Sequence, residues 1–403
     1  MADQDFIPYG RQEIDEDDVA AVVEVLRSDF LTQGPAVERF EQALAERVGA
    51  SHAVAVANGT AALHLAALAL GLGPGDAWIT SPLTFVATAN AARYVGATPV
   101  FADVDETGCL DPDTLIPEKI TAAKAVARML KSKPMPRVLA GVDLAGQPAD
   151  WSGLLEAAQE CGLKTIDDGC HALGASWTDA QGNVRLVGQD GGADMTVFSF
   201  HPVKHITTAE GGAICTADPE LAARLRLLRS HGITKTGLER PELASDPWYY
   251  EQQALGFNYR LSDLQAALGL TQLKKLDRFL ERRRALAVRY DEQLASFRRV
   301  RPLGRRPGVE HAYHLYIVRI DFASAGLSRA EVMGRLLQAG VGSQVHYIPV
   351  HLQPDFRRNV GTRPGDCPKA EALYQEILSL PLFPGLTEAA QDRVVAALAD
   401  ILE

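Results

Sequence analysis

Short apolar runs alternate with amphipathic stretches along most of this chain. Asp15–Ser28 begins acidic and repeats Val19, Val22, Val23 and Leu26 at helical spacing, which predicts an amphipathic helix. After the loop Leu31–Pro35, a second helix is expected over Ala36–Val48, with Val37, Phe40 and Leu44 on one side and Gly49 at its end. The pattern then becomes strand and helix in turn. Strands are expected at His52–Ala57, Trp78–Thr80, Thr98–Ala102, Arg137–Val142 and Lys164–Ile166. Helices are expected at Ala61–Leu70, Phe85–Tyr94 and Trp151–Cys161. Such alternation implies a mainly parallel sheet covered on both faces. Ligands of these sheets bind beyond the carboxyl ends of the strands, where Asn58–Thr60, Pro82–Phe85 and Asp167–Asp168 fall.

Asp194–Cys215 stands apart. It opens as a buried strand, breaks at His201–Pro202, passes Lys204 and the pair Gly211–Gly212, and resumes as an apolar run at Ala213. Two segments interrupt the alternation. Glu118–Arg137 is basic and reads as a solvated helix and connector, and Lys235–Glu251 reads as a long polar loop of the kind that often carries function.

From Leu261 the texture changes. Ser262 and Gln265 form a capping box ahead of a long helix marked by Leu264, Leu268 and Leu276. A strand follows at Leu315–Ile320, then a helix opening at Ser328 with Glu331 three residues on. A second strand is expected near Gly342–Tyr347 and a terminal helix over Glu388–Leu402. Residues 1–260 are therefore expected to form a large α/β domain with an N-terminal arm, and 261–403 a smaller α+β domain.

Composition narrows the function. The 403 residues carry a net charge of −11, which argues against broad nucleic-acid or anionic-membrane binding, so any phosphate must be held by local donors. Five scattered cysteines without a C-x-x-C pair argue against a disulfide frame and a cysteine zinc site, and no metal is expected. The start MADQDFIPYG does not read as a signal peptide and no apolar run would span a bilayer, so a cytoplasmic location is expected.

Several residues offer chemistry. An amine placed like that of Lys204, between two strands and beside Pro and Gly, can condense with an aldehyde to a Schiff base; an isolated lysine reads first as a solvated loop residue. Asp168 ends a strand in KTIDDGCHALGA, where it could serve a pyridine nitrogen or cap the next turn. Asn58-Gly59-Thr60 precedes a helix and could present N–H groups to an anion, as many strand–helix turns could. Phe85 suits ring stacking and core packing equally, and Asn258 reads alone as a turn residue before a capped helix.

Taken together these motifs resemble the DegT/DnrJ/EryC1/StrS family of sugar aminotransferases. They are Ser199-x-x-x-x-Lys204 with Thr207–Thr208 and the double glycine, the acidic-Asp-x-x-His pattern at Asp168 and His171, and GFNYRLSD at Gly256–Asp263. The resemblance covers nearly the full chain and implies a pyridoxal phosphate (PLP)-dependent fold type I architecture, like that of aspartate aminotransferase. By it, Lys204 would hold PLP and act as the catalytic base, with pyridoxamine phosphate formed in turn. Asp168 would face the pyridine nitrogen and His171 the phenolic oxygen, Phe85 would stack on the ring, and Gly59, Thr60 and Ser199 would hold the phosphate. Asn258 would reach the phosphate in a neighbouring subunit, which implies a homodimer with shared sites.

IPYGRQEIDEDD, SDFLTQGP, RSHGIT and VHYIPVHLQP narrow the resemblance to the branch that makes UDP-4-amino-4,6-dideoxy-N-acetyl-β-L-altrosamine for pseudaminic acid. That branch implies a UDP-linked 4-keto sugar as acceptor and L-glutamate as donor, with Tyr9, Thr32, His346 and Tyr347 lining the sugar pocket. Another nucleotide-sugar 3- or 4-aminotransferase is the alternative, and a non-catalytic regulator of the same fold a further one. The chain departs from the family at Asp167, a common glutamate, at Cys170, often alanine, and at Asp143, often histidine.

Overall fold

The computed structural model describes residues 6–115 and 135–403. The connector expected over 118–137 falls outside them, except at its end. A seven-stranded sheet organises the first two-thirds of the chain. Its strands are β1 (His52–Val56), β2 (Asp76–Thr80), β3 (Thr98–Phe101), β4 (Met135–Val142) and β5 (Lys164–Asp168), then, after the short β6 (Ser176–Thr178) and β7 (Val184–Leu186), β8 (Met195–Ser199) and β9 (Gly212–Thr216). The order across the sheet is β1-β9-β8-β5-β4-β2-β3. Every neighbouring pair is parallel except the two that β9 makes, with β1 and β8. The mainly parallel sheet expected from the alternation is what the chain builds.

Period-two alternation decides which side each side chain takes. Ala53 and Ala55 of β1 join one core with Phe40, Leu44, Leu154 and Phe198, while Val54 and Val56 join the other with Leu63, Leu65 and Trp78. Leu139 separates from Val138 and Ala140 in the same way. A slip of one residue would exchange the two cores, so the register is strongly fixed. The helix Gly59–Ala69 fills one face almost wholly with alanine and leucine, packed in that core against Val54, Val56, Ala87, Ala91 and Val197.

Beyond the sheet, β10 (Ile233–Thr234) and β11 (Glu251–Gln252) pair as a short hairpin at the base of the expected long loop. Its tip exposes Trp248 and Tyr250. The C-terminal part carries β12 (Val300–Pro302), β13 (Val309–Glu310), β14 (Tyr316–Ile320) and β15 (Ile377–Leu380). β12, β14 and β15 form a three-stranded antiparallel sheet over a third core that includes Tyr290, Val318, Leu378 and Leu398. β13 instead pairs with β6 in a separate three-stranded sheet with β7, tying this part to the segment between β5 and β8.

Two expectations are corrected in the C-terminal part. The second strand near Gly342–Tyr347 does not form: only Gln344 pairs, with Ser379, and the segment then turns away to bring His346 and Tyr347 into the cleft. The place beside β14 is taken by the fully buried ILSL of β15. The long helix after Ser262 is two helices, Asp263–Lys274 and Leu276–Leu294, and the first buries Ala266, Ala267 and Gly269 more deeply than Leu264 and Leu268. Both capping boxes, at Ser262 and Ser328, are present.

The helix Glu16–Leu26 also docks differently from its pattern. Val19 and Leu26 are exposed, and the face turned inward is held by Asp18. That buried carboxylate accepts from Asp15 N, Thr271 Oγ1 and Gln272 Nε2, and pairs with Lys275 Nζ at 2.9 Å. An apolar stripe left open beside a polar anchor is a face still to be covered. Among the described residues no helix is long and apolar enough to cross a membrane.

Candidate active site

The carboxyl ends of β1, β5 and β8 open on one cleft of about 750 Å³. Its floor begins at the first turn of the helix Gly59–Ala69. Asn58 caps that helix, its side chain accepting from Ala61 N at 2.8 Å. First-turn N–H groups have no partner within a helix and carry the positive end of its dipole, so the turn favours an anion. Glycine is required twice here. A Cβ on Gly212 of β9 would stand 2.6 Å from the Asn58 carbonyl carbon, and one on Gly59 would stand 3.0 Å from Ser199 Cβ. The turn is thus pressed between β8 and β9 with the Ser199 hydroxyl at its side.

Asp168 closes β5 and is buried. Thr88 donates to its Oδ2 at 2.6 Å and Cys170 N to its Oδ1 at 3.3 Å. Thr88 is itself bonded to Thr84 at 2.7 Å, so one end of the helix Val86–Tyr94 orients the carboxylate. Phe85 caps that helix and keeps an exposed ring on the cleft, 6.3 Å from the Tyr347 ring. Lys204 hangs from the turn after β8, its N–H donating to His201 O. Protein closes round the amine enough for burial to push its pKa down to about 8, against the pull of Cys170 and Asp168.

Imidazoles ring the amine. His171 Nε2 lies 3.2 Å from Tyr347 Oη, and burial, then the Lys204 charge, hold His171 neutral. His346 bonds Ser379 Oγ through Nδ1 at 2.8 Å, lies 5.7 Å from the Tyr9 ring, and is pushed by burial down to about 3. The His314 ring lies 4.3 Å from that of His171, tilted by 47°. Ten of the twelve residues singled out in the sequence therefore face one cleft, among them Tyr9, Gly59, Thr60 and Ser199. Thr32 and Asn258 do not. Thr32 is exposed and bridges Ser262, and Asn258 is exposed and bridges Ser230. Thr88 and His314 escaped sequence reasoning; the Thr84-x-x-x-Thr88 spacing was the available signal for the first.

The residues present fit PLP. The cleft offers an anion cradle, a primary amine of lowered pKa and a buried carboxylate, in a space lined by aromatic rings. A titration checks the amine. In cofactor-free protein, acylation of Lys204 is expected to rise about tenfold per pH unit up to pH 8 and then level off, while surface lysines keep rising to about pH 10. The sign for stability follows. Between about 8 and 10.5 the unfolded chain holds a proton that the folded chain has lost, so stability rises with pH across that window.

Sheet, cradle and amine together define an α/β enzyme of the PLP-dependent aminotransferase class. The comparisons make this specific. Residues 12–399 match the DegT/DnrJ/EryC1/StrS aminotransferase family, and the chain belongs to that family. It is 40% identical over 402 residues to the spore coat polysaccharide biosynthesis protein SpsC of Bacillus subtilis, covering 99% of this chain and 97% of SpsC. It superposes on Helicobacter pylori PseC, an aminotransferase of pseudoaminic acid biosynthesis, with a TM-score of 0.84 and 30% identity over 98% of this chain and 99% of PseC. Spr1654 of Streptococcus pneumoniae, solved in a PLP form, gives a TM-score of 0.85 and 29% identity over 99% of this chain and all of that one. A pyridoxamine phosphate form of Spr1654 matches equally well. The protein is a PLP-dependent sugar aminotransferase.

Proposed function

We propose that the enzyme transfers the amino group of L-glutamate to C4 of a UDP-linked 4-keto-6-deoxy-N-acetylhexosamine, giving the UDP-4-amino-4,6-dideoxy sugar of pseudaminic acid biosynthesis and 2-oxoglutarate. The observation that carries the reading is the meeting of Lys204, Asp168 and the first turn of Gly59–Ala69 in one cleft whose remaining wall is Tyr9, His346 and Tyr347. PLP supplies an electron sink that eases removal of a proton from the carbon bearing nitrogen.

The chain's residues do the rest. Lys204 Nζ would hold the cofactor at rest. Once released it would take the proton from the donor's Cα, and in the second half reaction it would return a proton to C4 of the sugar. Its pKa of about 8 leaves about a tenth of the amine unprotonated at pH 7, far more than an ordinary lysine would keep, as a base requires. Asp168, oriented by Thr88, would serve the ring nitrogen. Ser199, Gly59 and Thr60 would hold the phosphate, Phe85 would cover one face of the ring, and neutral His171 would serve the phenolic oxygen. Tyr9, His346 and Tyr347 receive the sugar.

Asn258 and Thr32 lie outside their own cleft, and we assign Asn258 to the cleft of a second copy, which makes the enzyme a homodimer with shared sites. The exposed Trp248, Tyr250 and Leu255 near it support a covered face there. Residues 1–260 then act as the cofactor-binding domain and 261–403 as the smaller domain, working in the cytoplasm. The higher identity to SpsC than to PseC favours a second reading, in which a different nucleotide sugar is the acceptor.

Two measurements test the proposal. Adding L-glutamate to the PLP-loaded protein is expected to bleach the visible band of the bound cofactor and to release 2-oxoglutarate in equal amount. A panel of UDP- and dTDP-linked 3- and 4-keto sugars, with products resolved by mass and NMR, then identifies the acceptor. Turnover confined to 3-keto or dTDP-linked sugars rejects the reading in favour of the second.

A further inference from the structure

Asp143 and Asp167 lie behind Asp168, on the side away from the cleft. Asp143 follows β4 and Asp167 belongs to β5, parallel neighbours whose register sets Gly141 opposite Asp167 and Val142 opposite Asp168. Asp143 is wholly buried and Asp167 is 4% exposed. Asp143 Oδ1 accepts from Ala149 N at 2.8 Å and from Trp151 Nε1 at 3.0 Å, while its Oδ2 is buried with no donor. Asp167 Oδ2 has the Thr196 hydroxyl at 3.5 Å, while its Oδ1 is buried with no donor. Neither atom can reach water, and each carboxyl's bonding partner on that side is the other.

Two buried acceptors facing each other cost heavily unless a hydrogen lies between them. Among the described residues no cation faces the pair to neutralise two charges. The titratable groups facing the pair are Asp168 and the thiols of Cys109 and Cys170, all of them acids. Asp168 is differently placed, since both its oxygens have donors in Thr88 and Cys170 N.

We propose that Asp143 and Asp167 share a single proton, forming a carboxyl–carboxylate pair that carries one negative charge and positions Asp168. Burial, and for Asp167 the neighbouring carboxylates, raise both groups above the usual carboxyl range, as such a pair demands. The link to Asp168 is direct, because Asp143 N donates to the Asp168 carbonyl at 3.3 Å. With the proton held in the pair, Asp143 and Asp167 carry one charge instead of two beside Asp168. What that offers the cofactor rests on the reading of Asp168 above; the proton itself does not.

Infrared difference spectroscopy tests it on the full-length protein at neutral pH. The wild type is expected to show the carbonyl stretch of a protonated carboxyl, shifted in D₂O. The band should be absent from Asp143→Asn and from Asp167→Asn, and present in Asp168→Asn. No such band in the wild type, or one that survives in either of the first two variants, overturns the proposal. If a variant does not fold, titration of the wild type decides: the band must persist well above about pH 5, where ordinary carboxyls have ionised, and loss below that pH overturns the proposal. A band that behaves as expected in a protein whose Asp168→Asn variant turns over normally upholds the shared proton and rejects only the reading of Asp168.

Discussion

Lys204→Ala is expected to lower transamination by about four orders of magnitude or more, the combined loss of a covalent attachment and a positioned base. The remaining candidates are poorly suited to the task. Burial keeps His171 and His346 neutral but also makes them weak proton acceptors, and Tyr347 is held protonated by burial and nearby acids. The variant should still bind pyridoxamine phosphate, because the cradle at Gly59–Thr60 and Ser199 is untouched, but should show no lysine-linked visible band with PLP. Lys204→Arg sharpens the experiment. A guanidinium keeps the positive charge yet stays protonated, so it should be as inactive as alanine if the amine acts chemically. Activity within tenfold of wild type in either variant would move the base to another residue.

Asp168→Asn is expected to slow the half reaction with L-glutamate by about two to three orders of magnitude, the scale on which loss of one partner disturbs a buried charge pair. The change is nearly isosteric. Thr88 and Cys170 N remain in place, and the side-chain amide can meet part of that bonding pattern. What disappears is the carboxylate proposed to serve the ring nitrogen. Stopped-flow absorbance would therefore show cofactor bound normally and proton removal slowed. A rate within threefold of wild type would mean that the charge is not used.

Much of this was legible because the chemistry sits where apolar patterns stop. Lys204 lies in the break between two buried runs, and Asp168 at the end of another. The turn at Asn58 separates a β-branched strand from an alanine-rich helix. Periodicity marks such ends without needing long-range contacts. It fails where the partner decides. Val19 and Leu26 read as a core-facing stripe, yet they are exposed while Asp18 anchors the helix, because an amphipathic pattern tells that a face is apolar and not what covers it. Thr88 and His314 became visible only when Asp168 and His171 were brought beside them. ILSL is short and runs into Pro381, so its pattern does not mark a strand, whereas residues 342–347 carry a strand-like pattern that the turn of Tyr347 into the cleft overrides.

The antiparallel β9 has a further consequence. It is the strand that joins β1 to the rest of the sheet, so the anion cradle at the end of β1 meets the Lys204 turn only after β9 has closed between them. No fragment of the chain that lacks residues 212–216 holds a complete site. Capture of the cofactor is therefore a late event that reports on finished folding. By mass action a free cofactor concentration of about a hundred times Kd adds roughly 2.7 kcal/mol to the folded state. Chains made during vitamin B6 shortage forgo that protection, open more often and are cleared faster by proteases. Cellular abundance of the enzyme should then follow cofactor supply.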